Sequence, residues 1–245
     1  MFFLRLLLFL FFLITQAKSD VIYNLIGIQN LEILNSDNKN NIVYLNAKAP
    51  FQVGIRENNV TCFKSQNETI KDKFEVIEKS FNKYESDFLK KINLKYIILC
   101  EDLSVAGIGA GGVPNFQKKT IIINTKVKLD LLERIIHHEI FHIINESYKN
   151  FFSEKNWKNL NYSGFNYAEC STCSDRISLS INTETKGFLT EYSKSTASED
   201  MAEVFSILMT NNNLITKKSQ KDIVLKKKVF FIKEGILNID SSFNF

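Results

Sequence analysis

All three histidines of this 245-residue chain lie in one short stretch, Ile136-His-His-Glu-Ile-Phe-His-Ile143. His138 and His142 are four residues apart, so a helix places them on one face, where two imidazoles can bind one metal ion. Glu139 can then reach a water on that metal without binding the metal itself. This pattern predicts a metal centre that activates water. The competing interpretation is a solvated His-Glu cluster, and we assign His137 no role.

Zinc in a catalytic site needs a third ligand from the protein and keeps one position for water. A metzincin would continue the motif with a glycine and a third histidine, but Asn145 and Tyr148 stand at those places. That class is therefore excluded. Because the chain has no further histidine, we expect the third ligand to be a carboxylate or, as the less favoured choice, a cysteine.

A second predicted helix offers two carboxylates for this role. Glu199 and Glu203 are four residues apart and share a helix face that also carries apolar side chains. Two such acids repel each other unless a cation or a histidine lies between them. We therefore predict that Glu199 binds the zinc and that Glu203 orients a liganding histidine through its other ring nitrogen. The alternative is a pair of ordinary surface acids near a helix N-terminus, which the helix dipole favours.

These residues resemble the gluzincin metallopeptidases, in particular the catalytic domain of anthrax lethal factor and the related secreted putative zinc-binding metallopeptidases. The likeness covers two short windows: H-E-x-x-H, and Gly187-Phe-Leu-Thr-Glu-Tyr192 leading into Glu199-Asp-Met-Ala-Glu203. Phe141 departs from lethal factor, which has a glycine before the second motif histidine. The resemblance implies that His138, His142 and Glu199 are the zinc ligands and that Glu139 is the general base. It also implies that Glu203 is an acid outside the ligand set and that Tyr192 supports the oxyanion or the leaving group.

The sequence thus predicts a secreted zinc-dependent endopeptidase that acts on a peptide or protein substrate. One alternative is a non-catalytic secreted binding protein with a zincin fold. Another is a host-directed protease with a single target. Nucleic acid is not an expected partner, because 31 basic and 27 acidic residues are too evenly balanced. The sequence does not indicate an oligomeric state.

The first 19 residues have the pattern of a cleaved signal peptide. Arg5 precedes an apolar run from Leu6 to Ile14, which is shorter than the roughly 20 residues that span a bilayer. Ala17 and Ser19 are small residues at the positions that a signal peptidase reads. We predict cleavage before Asp20, secretion or a lumenal or periplasmic location, and no stable membrane span afterwards. The alternative is an uncleaved N-terminal anchor.

Four cysteines remain in the mature chain. In an oxidising compartment an even count predicts two disulfides, with three possible pairings. We favour Cys170 with Cys173 and Cys62 with Cys100. The competing interpretation, a four-cysteine zinc site, would normally need two closely spaced pairs.

The expected fold is α+β and zincin-like, with a small mixed sheet packed on the H-E-x-x-H helix and on a second, glutamate-bearing helix. A β-rich segment at 20–68 precedes the metallopeptidase domain at 69–245. The helices that carry the site are expected at about 130–146 and 198–210. The strand at 120–124 directly precedes the first of them, and we expect it to be an edge that pairs with an extended peptide substrate.

Two further helices are expected from the apolar spacing. Apolar side chains at steps of three and four from Ile70 to Phe88 predict one helix of about 22 residues. A Lys-rich helix is expected at about 217–236. On it, Lys226-Lys-Lys228 is interpreted as a solvated face.

Overall fold

The fold is α+β, as predicted. The computed structural model describes residues 28, 30–35, 39–53 and 59–245, and the predicted signal peptide lies outside them. In that part of the chain, no helix has the length and apolar character needed to cross a membrane. The described residues fall into two compact units, one within Met1–Phe74 and Leu94–Val127, the other formed by Glu75–Asn93 and Lys128–Phe245. The boundary at residue 69 remains a prediction.

The first unit contains a mixed sheet whose long central strand is β5. The described strands are β1 Leu31–Asn35, β2 Val43–Ala47, β3 Phe51–Val53, β4 Val60–Phe63, β5 Tyr96–Val105, β6 Ile108–Gly109, β7 Gly112–Asn115 and β8 Thr120–Asn124. The first half of β5 pairs in parallel with β2 and β8, and its second half pairs antiparallel with β4 and β6. β1 and β7 add antiparallel strands to β2 and β8, and β3 adds one to β4.

Apolar side chains from β2, β4, β5 and β8 form a buried core in this unit, including Leu45, Ile98 and Ile122. Within that core a disulfide joins Cys62 of β4 to Cys100 of β5. A second disulfide joins Cys170 to Cys173. The two favoured pairings are therefore confirmed. Since both bridges use all four cysteines, the four-cysteine zinc site is excluded.

The strand at 120–124 has the predicted bounds but not the predicted position. β8 pairs with β5 on one side and with β7 on the other. Because neighbours in the chain itself occupy both sides of β8, the prediction that it is a free edge for a peptide is wrong. The cause is the Gly-rich segment before it, which folds back through β6 and β7.

The second unit is mainly helical. Its helices are α1 Asn67–Phe81, which begins in the first unit, α2 Ser86–Lys91, α3 Leu129–Ser147, α4 Glu154–Lys158, α5 Ala197–Thr210, α6 Asn212–Lys221 and α7 Ile223–Ile239, with a 3-10 helix at Tyr192–Lys194. α3 and α5 match the helices predicted to carry the site. Aromatic rings pack between them, with the Phe141 and Phe205 centroids 5.3 Å apart.

The single helix expected from the apolar residues Ile70 to Phe88 is two helices, α1 and α2. The chain turns at 82–85, and Tyr84 inserts its ring into the core of the unit, where its hydroxyl lies 2.6 Å from Nδ1 of His137. The apolar stripe continues in phase across this turn. Periodicity alone therefore could not reveal the break.

The Lys-rich helix is also two helices, α6 and α7. Asp222 separates them, because its carboxylate caps α7 by accepting hydrogen bonds from the N–H groups of Val224 and Leu225, both at 3.0 Å. Lys226 and Lys227 are exposed, as expected for a solvated face. Lys228 is 0% exposed, so that interpretation is wrong for the third lysine.

Candidate metal centre

The face of α3 that carries the motif meets the first turns of α5. Ile136, Ile140 and Ile143 bury the apolar side of α3. On α5, the Thr196 hydroxyl caps the helix by accepting a hydrogen bond from the Glu199 N–H at 3.2 Å. The cap fixes the start of the helix. It therefore determines which way the Glu199 side chain leaves the backbone.

Three potential ligand atoms converge between these helices. Nε2 of His138 lies 2.8 Å from Oε2 of Glu199, and Nε2 of His142 lies 3.2 Å from the same oxygen. The two Nε2 atoms are 3.1 Å apart. Ligands at about 2.0–2.1 Å from a tetrahedral zinc would be about 3.3 Å from one another. The spacing and the two-nitrogen, one-oxygen donor set therefore fit a zinc ion.

The other ring nitrogens of both histidines face protein groups. Nδ1 of His138 lies 3.1 Å from Oε1 of Glu203, and Nδ1 of His142 lies 3.2 Å from the Ser198 hydroxyl. A carboxylate at Nδ1 favours the tautomer in which Nδ1 carries the hydrogen. The Nε2 lone pair then points towards the centre, which is the arrangement of a metal-binding histidine.

Glu203 is itself held by residues that the sequence did not point to. Its carboxylate is 1% exposed and pairs with the Arg134 guanidinium, and Oε2 also accepts a hydrogen bond from the Thr190 hydroxyl at 2.8 Å. Arg134 further donates to the backbone oxygen of Leu179 at 2.7 Å. In the sequence, the one feature that could have indicated this role for Arg134 is its position four residues before His138, on the same helix face.

His137 points away from this centre. The Tyr84 hydroxyl donates to its Nδ1, and Nε2 lies 3.8 Å from Glu133. Burial lowers the pKa of His137, so the ring is neutral and can accept that hydrogen bond. This hydrogen bond connects the turn between α1 and α2 to α3.

The remaining predicted residues, Glu139 and Tyr192, lie beside the converging ligands. Glu139 is 7% exposed, and burial raises the pKa of its carboxyl although His138 and His142 act in the opposite direction. The Tyr192 ring centroid is 5.9 Å from that of His138. Burial and then the charges of Glu199 and Glu139 raise the Tyr192 pKa, so the hydroxyl keeps its proton and can donate a hydrogen bond.

Without metal, a proton takes the place of the cation between the ligands. Burial disfavours a charged His138, but the hydrogen-bonded carboxylates of Glu199 and Glu203 outweigh it and raise the pKa of His138 to about 10. Burial alone would raise the pKa of Glu199, but His142 and His138 hold it well below its usual range. A metal ion that binds here must therefore displace one proton from His138, while Glu199 is already ionised.

This proton makes metal affinity depend on pH. Because the pKa of His138 in the metal-free protein is about 10, that protein holds the proton below about pH 9 and the metal-bound protein does not. We therefore expect the zinc affinity to fall about tenfold for each pH unit of acidification below that value. Competition with a chromophoric chelator at several pH values measures this slope. Calorimetry in buffers of different ionisation enthalpy counts the proton released. A zinc affinity that is independent of pH in this range would contradict the assignment.

Comparison with known proteins agrees with a zinc site in this part of the chain. A family model described as "putative zinc-binding metallo-peptidase" matches residues 110–233, just over half of the chain, and that window contains every predicted site residue. No curated protein matches the chain. A solved putative zinc-binding metallo-peptidase from Bacteroides caccae is 18% identical, with 72% of this chain and 68% of that chain covered and a TM-score of 0.44. That likeness is too distant to bear on activity. On the match of the family model, the chain belongs to the putative zinc-binding metallo-peptidases.

Proposed function

We propose that this protein is a zinc-dependent endopeptidase of the gluzincin type, in which His138, His142 and Glu199 hold the metal. The convergence of these three side chains on one point carries the proposal. Glu203 contacts Nδ1 of His138, on the side of the ring that faces away from the other ligands. The resemblance to the lethal factor catalytic domain supports the same assignment of roles.

We further propose that the protein acts outside the cytosol. The two disulfides support this, since such bridges persist in oxidising compartments. The signal-like pattern at residues 1–19 supports it as well.

Zinc, Glu139 and Glu203 would each have a different role in hydrolysis. Zinc, when bound, supplies Lewis-acid polarisation and makes water nucleophilic at neutral pH. A Glu139 carboxylate oxygen accepts the proton that the water loses and then donates it to the leaving amine. Burial raises the pKa of this carboxyl, which makes it a stronger acceptor for the proton of the water. Glu203 holds Nδ1–H of His138 and so keeps Nε2 directed at the centre.

Tyr192 is proposed to donate its hydroxyl hydrogen to the oxyanion that forms on the substrate carbonyl. Tyr192→Phe should lower kcat about 100-fold or more, the usual cost of losing one such donor, and should leave zinc affinity nearly unchanged. Steady-state kinetics and zinc titration of the same preparation measure the two effects. Tyr148→Phe is the control, since that hydroxyl donates to the backbone oxygen of Lys91 and Tyr148 is not one of the site residues. Equal loss of zinc affinity and of kcat in Tyr192→Phe would assign Tyr192 a structural role instead.

The function is tested by incubating purified residues 20–245 with a mixed-sequence peptide library and identifying products by mass spectrometry. We expect cleavage that a chelator abolishes and added zinc restores. Zinc binding without cleavage of any library peptide would contradict a general endopeptidase. It would instead favour a non-catalytic binding protein or a protease with a single protein target.

A further inference from the structure

The residue after the proposed ligand Glu199 is buried and charged. Asp200 is 0% exposed, and its Oδ2 accepts hydrogen bonds from three side chains that come from separate segments. The donors are Nε1 of Trp157 at 2.9 Å, the hydroxyl of Tyr167 at 2.6 Å and Nζ of Lys228 at 2.6 Å. Burying a charged carboxylate away from solvent costs much free energy unless hydrogen-bond donors and an opposite charge pair with it in this way. The backbone of the first turn of α5 is thereby held at a fixed place.

Lys228 of α7 donates hydrogen bonds to two separate segments of the chain. Besides the bond to Asp200, its Nζ donates to the backbone oxygen of Gly187 at 2.8 Å. The ammonium also lies 3.8 Å from the centre of the Phe188 ring, a cation–π contact. Its position inside the protein is specific, because Lys227 next to it is exposed.

α7 holds the Gly187 peptide on its other side as well. The Gly187 N–H donates to Oδ2 of Asp222, the residue that caps α7, at 2.5 Å. Gly187 has φ +86°, and a Cβ there would meet Val224 of α7 at 2.8 Å. Glycine is therefore required at this position, and α7 fixes both its N–H and its carbonyl.

From Gly187 the chain runs directly into the site. Thr190, three residues later, donates to Glu203. Tyr192, five residues later, begins the 3-10 helix, and its N–H donates to the Ser178 backbone oxygen at 3.1 Å. One side chain, Lys228, thus connects α5, which carries Glu199, to the segment that carries Tyr192.

We propose that Lys228 is a positioning residue, which sets the relative placement of Glu199 and Tyr192 by binding both Asp200 and the Gly187 carbonyl. The role in catalysis rests on the proposed function. Lys228 does not touch the metal ligands themselves. A buried ion pair that served stability alone could be exchanged for apolar side chains with little loss, whereas a positioning pair could not be exchanged without changing the site.

The test compares Lys228→Met with Lys227→Met, its exposed neighbour, and with Ile232→Ala, which removes a buried apolar side chain from the same helix. The first measurement is amide hydrogen exchange at residues 187–193 in metal-free protein, under conditions in which Lys228→Met and Ile232→Ala have the same free energy of unfolding. The exchange rate should be at least about tenfold higher in Lys228→Met than in Ile232→Ala. In cobalt-substituted protein, only Lys228→Met should shift the d–d absorption. With substrate, kcat should fall about 10- to 100-fold with a smaller change in KM.

A double variant keeps the proposal testable if Lys228→Met fails to fold. Asp200→Asn with Lys228→Met leaves no unpaired buried charge, so it should recover stability but should still show the altered cobalt spectrum and lowered kcat. Wild-type exchange, spectrum and kcat in the double variant would overturn the inference. If the wild type binds no metal and cleaves no peptide, the proposed function fails. The exchange data on metal-free protein then decide separately whether Lys228 holds the two segments together.

Discussion

Glu139→Gln should leave zinc bound at one ion per chain while lowering kcat about 10²- to 10⁴-fold, the range expected for losing a general acid–base group. Glutamine has the same size as glutamate, but it cannot accept a proton from water or deliver one to the leaving amine. Glu139 is also not among the three side chains that converge as metal ligands. Zinc content after gel filtration and kcat on a cleaved library peptide measure the two quantities separately.

Glu146→Gln is the matched control for this experiment. Glu146 lies on the same helix, is exposed and pairs with Lys149 at 2.8 Å. Its replacement should change neither zinc content nor kcat, since a surface pair of this kind contributes little. Full activity in Glu139→Gln would exclude Glu139 as the base. Loss of zinc from that variant would mean that its carboxylate helps to hold the metal.

Glu199→Gln should abolish stoichiometric zinc binding. The variant replaces a charged oxygen, 2.8 Å and 3.2 Å from the two histidine Nε2 atoms, with a neutral amide. We expect its zinc affinity to fall more than that of Glu203→Gln, for which the loss of an outer partner should cost roughly 10- to 100-fold. Metal analysis after dialysis, followed by competition with a chelator, ranks the two variants. Both should be compared with Glu191→Gln, which changes a partly exposed carboxylate paired with Lys194.

Other results of this comparison would change the assignment of the zinc ligands or of the function. Zinc retained by Glu199→Gln but lost by Glu203→Gln would exchange the roles of the two acids. Zinc retained by both would require another ligand such as Asp175, which is not part of the converging group found in the described residues. The four cysteines are not candidates while their disulfides are intact. No zinc in the folded wild type would make the non-catalytic interpretation the leading one.

Features that depend on neighbours along the chain could be read from the sequence. The i, i+4 spacing of His138 and His142 follows from helical geometry, and α3 and α5 lie within one residue of their expected bounds. The same periodicity did not reveal the turn at 82–85. The apolar stripe remains in phase there, and the burial of Tyr84 against His137 requires the turn.

The surroundings of the site were decided by contacts between residues far apart in the chain. Arg134 is 69 residues from Glu203, and Lys228 is 28 residues from Asp200. In the sequence Lys228 is the last of three similar lysines, and only the packing of α7 decides that it is buried while Lys226 and Lys227 are not. Likewise, β8 is internal because the preceding Gly-rich segment folds back onto it. Helical period depends on local backbone geometry, whereas the partner of a buried charge depends on which segments the whole fold brings together.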